Sequence, residues 1–355
     1  MVHSRRSFLS PATSFTITAL ILGMAVLSVA AGAQTAVPPY TLSTFAQSTS
    51  AFSQPDSLER WRNSILVGYQ NHVAKDGTDG KFSTIVQYSL SGKMERAFQV
   101  KGHNDGLRVI GENQLWAIQN EDGNPNLAVI DLESGHQKVY SFPPTPHGGG
   151  YDDLRVKNGE VYVTASNPIN LDSAGVNEFP ALVRVKLSGD SVEVEPVLNG
   201  NATAIDIPTG TTTTLNLMDP DSLSIDARGN IVMDSQADGE LIFIRNPLSA
   251  NPTVGRLSLT TSAGPTTVDD TAFASSAKDF LLVSDVGGGI VYRIDSPMFG
   301  FEPGVPYTAS DSEGYVGVLN LDTGLITKIV TGMQSGRGML FVSPKSEGEH
   351  EKHDE

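Results

Sequence analysis

The 355-residue chain contains no cysteine. That excludes disulfide staples, thiol nucleophiles, cysteine-held zinc and lipoprotein anchoring, so stability has to come from a large apolar core. Positive charge is also scarce, with 24 Lys and Arg against 40 Asp and Glu and a formal charge of −16. Such a surface repels nucleic acid and anionic lipid, so neither is expected as a partner, and it favours cations. Helical periodicity is missing as well: no segment after residue 33 sustains a 3.6-residue apolar repeat, which argues against a doubly wound α/β fold.

The long apolar run that the chain does have stands at its start. "SRRSFLS" supplies two arginines, "FTITALILGMAVLSVAA" an apolar core, and Ala31-Gly32-Ala33 a small-residue cleavage site. Residues 1–33 therefore read as a signal peptide cut before Gln34, leaving no membrane anchor. "SRRSFL" also resembles the bacterial twin-arginine signal, although the Sec route tolerates arginine pairs too. Either route gives a periplasmic or extracellular protein, and loss of Arg5 and Arg6 takes the formal charge to about −18. At the other end "KSEGEHEKHDE" (345–355) has no apolar residue and reads as a disordered acidic tail. Residues 34–344 are left as one domain, expected to be monomeric.

That domain is repetitive. "DSLERWRNSILVGYQN" (56–71), "DGLRVIGENQLWAIQN" (105–120), "DDLRVKNGEVYVTASN" (152–167), "DSLSIDARGNIVMDSQ" (221–236) and "DTAFASSAKDFLLVSD" (270–285) align without a gap. Each joins a short apolar run through a polar turn to a second run rich in Val, Ile and Leu, the signature of a β-hairpin. Further alternating runs follow, such as "TIVQYSLSGKMERAFQV" and "LAVIDLESGHQKVYSF". Four short strands in about 45 residues make a β-propeller blade, so the expected class is an all-β propeller. Five units are visible; "GRGMLFVSP" (336–344) adds one more inner strand, and six blades are expected if "YTLSTFA" completes the last. "NATAIDIPTGTTTTLNL" reads as an extra hairpin, and 297–314 as a Pro/Gly-rich loop.

In a blade the innermost strand crosses from one face to the other and the second returns. Residues just before the first strand and just after the second therefore meet on one face. In "GHNDGLRVIGENQLWAIQNEDGNP" (102–125) those positions hold His103-Asn104-Asp105 and Asn120-Glu121-Asp122. Across the units the same positions carry Asp56, Asp105, Asp152-Asp153, Asp219 with Asp221, and Asp269-Asp270, followed at the far ends by residues such as Asn71, Asn120 and Asn167. A ring of carboxylates and amides offers hard oxygen ligands, which suit calcium above zinc or copper. The expected metal ligands are Asp56, Asp105, Asp153, Asp221 and Asp270.

A single aspartate before a strand often only accepts turn N–H groups, but turn chemistry does not ask for histidines. "PHGGGYDD" (146–153) places His147 and Tyr151 beside three glycines, and His103 and His147 open neighbouring units. They can serve as general base and oxyanion stabiliser, with Asn104, Asn120, Asn167 and Tyr151 contacting a small-molecule substrate. "KDGTDG" (75–80) lacks a complete calcium-loop spacing and reads as a tight turn. No G-x-S-x-G elbow is present.

"DPDSLSIDARGNIVMDSQ" (219–236) resembles the Pro-Asp-Gly-Leu-x-x-Asp-x-x-Gly-Asn-Leu signature of the senescence marker protein, regucalcin and gluconolactonase family, six-bladed propellers of the TolB-like type. The resemblance is specific over about eighteen residues and architectural elsewhere. It implies that Asp221 binds a divalent cation and acts as base in lactone hydrolysis, with Asn104 or Asp105 and Asp152 or Asp153 as further ligands. The family's first-blade Glu-Gly-Pro is absent; "QPDSLERW" leaves only Asp56 in its place. The expected function is metal-dependent hydrolysis of a small ester or lactone by Asp221, His103 and His147. A non-catalytic ligand- or protein-binding propeller with structural calcium is the rival, and a metal-dependent lyase a third reading.

Overall fold

The computed structural model describes residues 34–344; the expected leader and tail lie outside the described residues. Described secondary structure is all β. The first array pairs Pro55–Trp61, Ser64–Tyr69, Phe82–Ser89 and Met94–Lys101 in antiparallel order. Sequence pattern accounts for its gradient of burial. "SILVGY" is continuously apolar or small and is buried on both faces, whereas the outermost "MERAFQVK" buries only Phe98 and Val100 and turns charge to solvent. Such alternation is what one solvated sheet face requires.

The next two arrays begin at Asn104–Ile110 and Gly150–Lys157 and are joined into one eight-stranded sheet by a single parallel pairing, Ser141 with Ser191. A further array begins at Pro220–Ile225 and carries the extra hairpin, Thr203–Asp206 against Thr212–Thr214, on its outer side. Of the last two, one begins at Asp270–Phe273, and the other uses Gly336–Val342 as its inner strand and the early Thr41–Gln47 as its outer one. The inner strands contact one another in cyclic order, with Gly336–Val342 returning to Pro55–Trp61. A closed ring of radial sheets around a channel is a β-propeller.

The fifth repeat departs from the expected hairpin. Asp270–Phe273 pairs with Pro306–Ser310, and Phe280–Asp285 pairs with Gly336–Val342 in the neighbouring array. The two halves of "DTAFASSAKDFLLVSD" thus belong to different sheets. Part of the expected 297–314 loop is accordingly a strand, buried throughout Pro306–Ser310.

A shared irregularity positions the site. Pairing slips between Pro55 and Leu58, Asn104 and Leu107, Tyr151 and Leu154, and Pro220 and Leu223, and Gly336 to Met339 shows the same shift. These are β-bulges, which re-aim a side chain and sharpen the local twist. In each, Leu or Met enters the core while the residue after the first position, Asp56, Asp105, Asp152, Asp221 or Arg337, lines the channel. Small residues are needed beside them: a Cβ on Gly106 would meet the Asp152 carbonyl at 2.6 Å, and one on Gly338 the Asp56 carbonyl at 2.4 Å.

Candidate metal centre at the channel mouth

The channel holds a cavity of about 200 Å³ whose walls include Asp56, Asp105, Glu121, Asp152, Asp221 and Asp269. Both polar ends of the 102–125 hairpin converge there, tied by an Asn120 N–H bond to the His103 carbonyl at 2.7 Å. His103 Nε2 lies 3.6 Å from Asp105 Oδ1 and 3.7 Å from Glu121 Oε1. One ligand atom from each of His103, Asp105 and Glu121 falls within 4.8 Å of the others, and all three residues are buried. This group can bind a metal ion.

Its surroundings prepare it for that. The loop after the first hairpin brings the Val73 carbonyl to accept from His103 Nδ1–H at 2.8 Å, which leaves Nε2 facing the carboxylates. A ring held through one nitrogen with the other free is the usual arrangement of a ligating histidine. His103 Nε2 and Asp105 Oδ2 are buried without a hydrogen-bond partner. Glu121 is met by Lys75 Nζ at 2.5 Å, from a side chain that is 51 % exposed. Lys75 belongs to the "KDGTDG" turn, where Asp76 and Asp79 accept N–H groups of their own loop, as expected of a turn.

Charge is distributed unevenly round the ring. Burial, then the nearby carboxylates, pushes Asp152 and Asp221 well above the usual carboxylate range. Asp56 is raised to about 7 by burial, against the pull of Arg337. Asp105 is buried too, yet His103, Lys75 and Arg337 hold it below the ordinary value. Burial opposes the His103 cation, but Asp105 and Glu121 outweigh it and raise the imidazole to about 9. Crowded carboxylates that cannot all ionise are the electrostatic counterpart of a cation site.

The expected ligands divide into two layers. Asp56, Asp105 and Asp221 are ring members. Asp153 and Asp270 lie one residue deeper, and each accepts a backbone N–H from the adjoining inner strand, Leu223 at 2.9 Å and Met339 at 2.6 Å. The equivalent of Asp152 in the fifth array is therefore Asp269, which faces Arg337 at 3.5 Å. Sequence alignment had set Asp270 in that place because the fifth copy lacks the bulge leucine; matching "DDT" with "DDL" recovers the register. Arg337, in the sixth equivalent position, was signalled only by "GRGM" standing where the others read "PDSL" or "NDGL".

Several residues expected to contact substrate are engaged in hydrogen bonds and packing within the fold. Asn120 and Asn167 adopt left-handed backbone, φ 70° and 48°. Asn120 Oδ1 accepts from His103 N at 2.9 Å, and Asn167 Nδ2 donates to Asp122 at 3.1 Å. Asn104 is fully buried and donates to the Ile118 carbonyl at 3.0 Å. His147 does not join His103: its Nε2 donates to Gly150 O at 2.9 Å, and its ring packs edge-on to Tyr151. Burial keeps it neutral by lowering its pKa. Tyr151, 2 % exposed, packs against Phe142. The glycine-rich loop folds its aromatic residues inward because three small residues let the chain close over them.

No protein-family model and no protein of curated function matches the sequence. Among solved structures, a protein of unknown function from Bacteroides thetaiotaomicron is similar at 11 % identity and TM-score 0.52, over 86 % of this chain and 69 % of its own. The Pseudomonas aeruginosa periplasmic gluconolactonase matches at 13 % identity and TM-score 0.41, covering 81 % and 88 %. Virginiamycin B lyase from Staphylococcus aureus matches at 10 % identity and TM-score 0.46, covering 81 % and 88 %. At these identities the likeness is one of fold.

Proposed function

We propose that the protein is an exported, monomeric, six-bladed propeller that binds a divalent cation at the channel mouth and hydrolyses a small ester or lactone. The observation that carries this reading is the buried His103, Asp105 and Glu121 group, with an orphaned imidazole nitrogen and carboxylate oxygen beside a cavity of small-molecule size. Its mixed nitrogen and oxygen donors suit manganese or zinc at least as well as the calcium that an all-oxygen ring favours. A cation held there supplies Lewis-acid chemistry, polarising an ester carbonyl. Asp105 and Glu121 orient it, and Val73 fixes the imidazole tautomer. Asp221, on the wall of the same cavity, is the group that takes the proton of the attacking water and returns it to the leaving alcohol oxygen.

A binding module without catalysis is the second reading, favoured by one contact: Lys75 on Glu121 already supplies a positive charge at the site. Metal analysis of the purified protein, followed by a lactone and ester screen with and without chelator, separates the two. Hydrolysis that requires a cation and is lost in Asp221→Asn supports the enzyme. Cation binding with no hydrolysis in the screen supports the module, and failure of every divalent ion to bind overturns the metal site itself.

A further inference from the structure

Three arginines line the channel cavity. Arg337 is held between Asp269 and Asp56. Arg108 is fully engaged, donating to Leu154 O at 3.0 Å and Glu59 at 2.5 Å and facing Asp153 at 3.7 Å. The Arg155 guanidinium has no hydrogen bond or ion pair among the described residues; Asp153, Glu59 and Asp270 act on it only through space. Those three acids are committed elsewhere, Glu59 to Arg108 and the two aspartates to the Leu223 and Met339 N–H groups. On the adjoining inner strand Ser224 lines the same cavity, is 3 % exposed, and its hydroxyl has no partner.

Arg155 is half-buried, so its free guanidinium N–H groups are open to a ligand entering the cavity, and a buried hydroxyl without a partner is costly. The guanidinium fork matches a carboxylate through two parallel N–H bonds, which no single water reproduces. We propose that Arg155, with Ser224 on the wall of the same cavity, seats the carboxylate of a small ligand, so that the substrates of this channel are lactones or esters carrying a second, free carboxylate. Arg155 follows the ring residue Asp152 by three positions, about 10 Å along the strand. Arg155, Asp105 and Glu121 line one cavity, whose volume of about 200 Å³ limits the ligand that reaches both the anion seat and the metal group to a small molecule. This deepens the hydrolase reading and rests on it only for the reacting group; capture of the anion needs neither metal nor hydrolysis.

The test is a calorimetric titration of the whole protein with malonate, a small dicarboxylate, in chelator and at ionic strength fixed with sodium chloride. Malonate is expected to bind saturably and Arg155→Gln to weaken it at least about tenfold. Arg155→Lys keeps the charge without the fork and should fall between them, which guards against a variant that merely misfolds. Arg245→Gln, on an outer strand, should bind like the parent. No binding to the parent, or equal binding by Arg155→Gln, overturns the anion seat. Because chelator is present throughout, a failed metal site leaves this result readable.

Discussion

Arg337 Nε stands 3.5 Å from Asp269 Oδ1, the only cation among the six equivalent inner-strand positions facing a carboxylate of the array next to it. Asp56, on the other side, is 4.0 Å from Arg337 Nη1. One guanidinium thus joins the last array to the first and offsets two of the five ring acids at the seam where the propeller closes. Removing it leaves two buried carboxylates uncompensated. Arg337→Gln is expected to cost about 2–4 kcal/mol at pH 8 and clearly less at pH 5, where those acids can protonate instead. Denaturant unfolding at the two pH values checks this; an equal cost at both would mean that Arg337 acts by packing.

The ring makes the metal-free protein sensitive to pH in a definite direction. Asp56 rises from 3.8 to about 7 and Asp219 and Asp270 to about 6, each through burial first, while His103 rises from 6.5 to about 9. Each binds its proton more tightly when folded, so its contribution is complete below the unfolded value and is lost as pH climbs through the folded one. Asp105, shifted down, contributes in the opposite sense but only at more acid pH. Chelated protein should therefore lose roughly 2 kcal/mol or more between pH 5 and 8, about 5 °C in melting temperature. Saturating manganese or calcium should flatten or reverse that decline, since the deprotonated ring is the form that binds cations. A melting temperature that rises with pH in chelator would contradict the charge assignment.

Much of the frame was legible because a propeller writes itself locally. The turn-linked runs from "DSLERW" to "GNIVMDSQ" gave hairpins whose ends had to meet, and His103 and Glu121 do meet. What escaped was non-local. Nothing in "DTAFASSAKDFLLVSD" marks that its two strands join different sheets, since either partner offers the same backbone hydrogen bonds and the same apolar faces. Asp153 and Asp270 line the same cavity as the ring acids but also accept N–H groups of the next strand, because a bulge turns successive residues differently, a choice that composition does not record. Asn120, Asn167 and Tyr151 fit either role in the sequence, because residues that make left-handed turns and fill a loop interior also offer amide and hydroxyl groups to a small ligand.

Asn120 offers a clean separation of architecture from chemistry. At φ 70° it accepts the buried His103 N–H and donates to Asn124 O at 3.0 Å. Asn120→Ala removes both bonds and puts in left-handed backbone a residue that tolerates it less well than Asn, so a loss of about 2–3 kcal/mol is expected. Asn120→Gly relieves the backbone but not the orphaned N–H and should cost about 1 kcal/mol less. Hydrolysis per folded molecule should be unchanged in both; a fall in kcat without a fall in stability would return Asn120 to the site.

The two histidines give the sharpest division. His103 directs an unpartnered Nε2 at Asp105 and Glu121, whereas His147 spends its Nε2 on Gly150 O and lies against Tyr151. His103→Gln removes one member of the ligand group, and cation affinity measured by calorimetry should drop at least about tenfold, which is the order seen when even the supports of a metal ligand are lost. His147→Gln should keep cation affinity within about twofold and instead lower stability by about 1–2 kcal/mol, the cost of disturbing a buried hydrogen bond and a ring contact. If the pattern were inverted, with His147 controlling affinity and His103 only stability, the metal centre would have to be moved to the glycine-rich loop that holds His147.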